Sequence, residues 1–99
     1  MPATIDHDQA RDLFLYAVND SALYARKVTP IIRALARHKA RGTWDASRAV
    51  RAWRQLADEA DRRYAAEYGA KAAPATRDAA AAMLADHYAE AVDETALGA

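Results

Sequence analysis

Twenty-eight of the 99 residues are alanine, and nothing else in the chain limits its fold as strongly. Alanine favours helix more than any other residue but buries little area. An apolar fraction of 53% therefore overstates the core, whose volume has to come from a small set of larger side chains. No segment alternates with period two, and three glycines and three prolines are too few for a chain rich in hairpins. An all-α fold follows, thin in its core. At this length a single domain over residues 1–99 is expected, near the size where burial only just offsets chain entropy.

Caps and periodicity divide the chain into four helices. Asp6 and Gln9 have capping-box spacing, and a helix from about His7 to Val18 buries Ala10, Leu13, Phe14 and Ala17. Tyr16 falls off that stripe and is expected at the surface. Asn19-Asp20-Ser21 supplies both a stop and a new N-cap. The second helix runs from about Ala22 to Arg41, just before Gly42, with Tyr24, Val28, Ile31, Ile32 and Leu35 on one face. Pro30 lacks an amide hydrogen, and its ring clashes with the carbonyl four residues back. The helix is thus expected to be kinked or split at Pro30; in the second case Thr29 is the N-cap of a new segment.

Asp45 or Ser47 caps the third helix, in which Ala49, Val50, Trp53, Leu56, Ala57, Ala60, Tyr64 and Tyr68 recur at threes and fours up to Gly69. A loop over 70–74 ends in a proline. The last helix, from Ala75 or Thr76 to Asp93, buries Ala80, Met83 or Leu84, His87 or Tyr88, and Ala91. Together these elements predict a compact four-helix bundle with ends fraying at about 1–5 and 94–99.

Charge is distributed unevenly although the net charge is zero. Residues 26–54 hold nine Lys and Arg against one acid, Asp45, while the first 25 residues sum to −3 and residues 55–99 to −5. On a wheel of 100° per residue, Arg26, Arg33, Arg37 and Arg41 fall within roughly 80° of one another, nearly opposite the apolar face. The planar guanidinium fork suits phosphates and carboxylates alike, so this stripe fits a nucleic-acid backbone or an acidic protein surface. It also fits a plain alternative, in which Asp86, Glu90 and Asp93 of the last helix fold across it. Arg48, Arg51 and Arg54 occupy the start of the third helix, where a helix-turn-helix protein carries its base readers. Asp58 and Asp61 on the same helix would repel phosphate. Asp58 with Arg62 and Glu59 with Arg63 have the acid-first spacing of ordinary surface ion pairs.

Chemistry of other kinds has little to build on. Without cysteine there are no disulfides or thiolate metal sites, and a cytoplasmic location is the expected one. No stretch approaches the roughly 18 apolar residues of a membrane span. Neither His87 with Glu90 nor Asp6-His7-Asp8 forms a recognised metal site, so no metal and no cofactor is expected. Ser21 and Ser47 sit where helix caps belong, and the glycines at 42, 69 and 98 are isolated, so no catalytic residue is assigned. Trp53 lies on the apolar face and is expected in the core. Trp44, in the turn, suits either a lid on that core or an exposed contact aromatic.

Asn19-Asp20 with Leu23-Tyr24, Pro30-Ile31-Ile32 with Leu35, Gly42-Thr43-Trp44-Asp45, Ala49-Val50 with Trp53, and Tyr64-Ala65 with Glu67-Tyr68-Gly69 form a pattern over residues 19–69. It resembles a loose group of small uncharacterised helical proteins encoded on bacteriophages, plasmids and other mobile elements. The resemblance implies an accessory role, such as modulating a host protein or defence system. The expected function is non-enzymatic binding to a protein partner through Arg26, Arg33, Arg37, Arg41, Trp44, Arg48 and Arg51. Nucleic-acid binding through residues 26–54 is the alternative, and a structural homodimer module the second; the chain is expected to be a monomer or homodimer.

Overall fold

The computed structural model describes residues 5–69 and 71–98. Among them every regular element is helical: α1 (His7–Asn19), α2 (residues 21–41), α3 (Ala46–Tyr68), α4 (Pro74–His87) and α5 (Ala89–Leu97). The expected all-α class holds, with five helices in place of four. The expected fraying of 1–4 and of Ala99 lies outside the described residues, whereas 94–97 are helical.

Local chemistry sets most of the boundaries. The side chain of Asp6 accepts from the Gln9 amide at 2.9 Å, that of Asp20 from Leu23 at 3.0 Å, and that of Asp45 from Arg48 at 2.7 Å, each satisfying an orphan donor of a first turn. The caps are thus aspartates, and neither Ser21 nor Ser47 serves. Gly42 (φ 73) and Gly69 (φ 85) end α2 and α3 in the left-handed region that a Cβ disfavours.

Helix α2 is neither split nor capped at Pro30. Residues Ser21–Leu23 lead into a π turn, Tyr24–Val28, which continues as Thr29–Arg41. The Thr29 amide donates to the Tyr24 carbonyl five residues back, and the Thr29 hydroxyl donates to the same oxygen at 3.3 Å. One extra residue in the turn accommodates the Pro30 ring, which has no amide hydrogen to offer Arg26. The insertion also rotates everything before it by roughly 100° relative to a uniform wheel. Leu23 consequently takes the buried place expected for Tyr24, which is 50% exposed.

The helices form a slab 41 × 33 × 15 Å, about two layers thick at normal helix spacing. Helices α1, α3 and α4 pack on one another, while α2 packs chiefly on α5 and only lightly on α3. Leu13, Leu23, Val28, Leu35, Leu56, Leu84 and Trp53 fill the core, and the Trp53 ring stacks on Tyr88 with centroids 4.8 Å apart. The last expected helix breaks at Tyr88, whose backbone (φ −100, ψ 6) leaves the helical region and lets α5 turn across α2. Nothing in the local sequence marks that break; the stack on Trp53 and the α2–α5 contact stabilise it. Two further expectations fail at the far end of the slab. Tyr68 is exposed, and Asp61 is buried, accepting from the Ala72 amide at 2.9 Å. Tyr16 is half-buried, its ring edge-on to Tyr64.

Candidate functional site

Arg33, Arg37 and Arg41 stand one helical turn apart on the outer face of α2, at intervals of roughly 6 Å along the axis. All three are exposed, and none makes an ion pair among the described residues. The acids of the last helical segment do not fold across them. Only Lys39 is engaged there, bonded to Asp93 while its ammonium lies 4.5 Å above the Trp44 ring. Arg33 borders a shallow groove shared with Glu94 and Thr95 of α5.

Arg26 stands apart from the other three. It sits in the π turn, and its guanidinium lies 3.6 Å from Glu59 of α3. The rotation that exposes Tyr24 also removes Arg26 from the alignment a uniform wheel predicts.

The connection between α2 and α3 is tied by a short polar chain. Thr43 donates its amide to the His38 carbonyl at 2.8 Å, and its hydroxyl to the same oxygen at 3.3 Å. With that proton committed, His38 Nδ1 donates to Thr43 Oγ1 at 2.8 Å, which leaves Nε2 as an acceptor 3.5 Å from Arg48 Nη1. Arg48 is half-buried, and its Nε has no partner. Arg51 is exposed and donates to Ser47 at 2.8 Å. Trp44 is 38% exposed and stands at the rim of an apolar cavity. Sequence reasoning missed the His38–Thr43–Arg48 chain; a threonine directly after the helix-ending glycine was its one available signal.

Several cations of α3 and α4 are matched, whereas Arg11, Lys27 and Lys71 make no ion pair among the described residues. Arg54 bonds Asp58 at 2.8 Å and also Asp78, and these hydrogen bonds hold its pKa above the ordinary value. Glu59 pairs with Arg62 and with Arg63 at 3.5 Å, and the Arg62 hydrogen bond, more than any other contact, keeps its carboxyl below the usual range. Arg63 also reaches Asp20 at 3.4 Å, and Arg77 lies 3.0 Å from Asp58 and 3.9 Å from Asp61. Asp58 thus turns to Arg54 and Arg77, and the expected Asp58–Arg62 pair does not form. These pairs also weaken the helix-turn-helix reading, since Arg54 is held by its own surface.

Among the described residues there is no group of three or more His, Asp or Glu placed to hold a metal ion, and no helix is long and apolar enough to cross a membrane. Comparison with family models, curated proteins and solved structures yields no match.

Proposed function

We propose that this protein is a non-enzymatic binding module that docks an acidic surface of a protein partner on the outer face of α2 and the adjoining turn. The supporting observation is the set Arg33, Arg37 and Arg41, exposed on one face without a carboxylate partner among the described residues, in a chain that pairs five of its other eight arginines. Trp44, Arg48 and Arg51 extend the face around the turn, adding the aromatic and guanidinium groups that protein interfaces favour. A protein is preferred over a polyanion because acids border the stripe: Asp45 is exposed in the turn, and Glu94 shares a groove with Arg33. Such a mixed border repels a continuous phosphate backbone but suits a patterned protein surface. The accessory role on a mobile element, with inhibition of a host defence complex as one form of it, rests on the sequence resemblance and on analogy.

The deciding experiment compares the protein with its Arg33→Glu/Arg37→Glu variant for capture of proteins from a lysate of the native host. Beside it, a DNA duplex of random sequence is titrated at several salt concentrations. Loss of captured protein on charge reversal, with weak salt dependence, supports the reading. Tight DNA binding whose log affinity falls with log salt at a slope near −0.9 per phosphate replaces it with nucleic-acid binding. Sedimentation as a dimer, with no other partner, replaces it with a structural module.

A further inference from the structure

We infer that the cavity between the Trp44 turn and the α4–α5 junction is a binding site for a small arylalkylamine, a single aromatic ring carrying a protonated amine on a short chain. The cavity holds about 210 Å³ and opens to solvent beside Trp44. An apolar cavity of about 150 Å³ accepts benzene, so this one has room for a ring and a two-carbon arm. Its floor is core: Leu35, Trp53 and Val92 are all buried. Its walls are small, with Ala49 from α3, Ala85 from α4 and Ala89 from α5 leaving open a space that any larger side chain would fill.

One accessible aromatic ring and one free carboxylate define the ligand. Both tryptophans of the chain border the space, but Trp53 is buried beneath it and Trp44, 38% exposed, is the one that offers flat apolar surface to a flat ring. At the rim stand Lys39, Asp86 and Trp44. Lys39 is already engaged, by Asp93 and by the Trp44 ring. Asp86 makes no ion pair or hydrogen bond through its side chain among the described residues, so the charge left available at the mouth is negative. A ring seated against Trp44 over the buried floor, with an ammonium directed at Asp86, uses both features. A carboxylate on the same ring would meet Asp86 with like charge. This site is separate from the arginine face, and neither inference depends on the other.

Because the chain has two tryptophans and both line the cavity, its intrinsic fluorescence reports occupancy without a label. The probes are 2-phenylethylamine, 2-phenylethanol and phenylacetate, matched in ring and differing in charge. Saturable changes in emission are expected, with affinity falling in that order and the amine about tenfold tighter than the acid, equivalent to about 1.4 kcal/mol. Ala85→Leu fills the cavity and is expected to abolish binding of all three while the helical circular dichroism persists. Ala89→Leu, at an exposed position, is the second blocking variant should the first not fold. Asp86→Asn is expected to bring the amine to the level of the alcohol. No saturable response to any probe, phenylacetate as the tightest ligand, an amine preference that survives Asp86→Asn, or binding undiminished in a folded blocking variant would overturn the assignment.

Discussion

Arg54, Arg62, Arg63 and Arg77 lie on α3 and α4 among Asp20, Asp58, Glu59, Asp61 and Asp78, whereas Arg33, Arg37 and Arg41 lie on α2 with no acid paired to them among the described residues. Identical side chains thus serve two ends. In the first region the charges orient helices against one another, each exposed pair contributing little, about 0.2 to 1 kcal/mol, and the network holding the elements in register. In the second they add nothing to the fold that would be missed. What sets the second region apart is alignment: three exposed arginines on one helix face, none ion-paired among the described residues, are placed to meet something else together.

The sharpest break in this contrast comes from the paired region. Trp53→Ala removes a ring that is 1% exposed and stacked on Tyr88, and should lower unfolding free energy by about 3 to 5 kcal/mol in denaturant melts. An unchanged melt would mean that α3 and the α4–α5 junction do not depend on one another. Asp61→Ala comes next, since it leaves the Ala72 amide without its buried acceptor and removes the carboxylate 3.9 Å from Arg77 Nε. Urea unfolding should show a loss of about 2 kcal/mol.

A smaller effect is expected from pH. The native Glu59 pKa is depressed, so its contribution is present above the ordinary carboxylate value of about 4.3 and is lost as pH falls through the lower native value. Glu59→Gln should therefore be less stable than the parent at pH 7 by under about 1 kcal/mol, with the gap closing in acid. A gap that stays constant with pH would assign the effect to packing. Smallest of all should be the stability change in Arg33→Glu/Arg37→Glu, within about 0.5 kcal/mol by thermal melting. A larger loss would place those two arginines in the fold and erase the difference between the regions.

Much of this could be read before the structure was known, wherever the cause was local. Asp6 was legible as a cap and the next two were narrowed to Asn19–Ser21 and to Asp45 or Ser47, because a short side-chain oxygen reaches the amide three residues on, and the glycines at 42 and 69 end helices because a Cβ disfavours positive φ. The periodic apolar face placed Trp53, Leu56 and Ala60 in the core for the same reason. The candidate face was half legible: Arg33, Arg37 and Arg41 keep their alignment, but Arg26 does not. Pro30 announced a disturbance without saying whether the chain would break, bend or widen into a π turn, since those outcomes differ in what packs against the helix. Asp61 read as a surface charge because its partner, the Ala72 amide, belongs to a loop that folds back over it.

Alone, the order of residues determined the helical class, the caps and the concentration of positive charge in the middle of the chain, all of which depend on neighbours within a turn or two. Only the tertiary structure decided which charges are cancelled, that Tyr88 breaks the last helix to stack on Trp53, and that small side chains from three helices leave a cavity beside Trp44. Those outcomes depend on groups distant in sequence meeting across the slab, and periodicity along one helix carries no information about what stands opposite it.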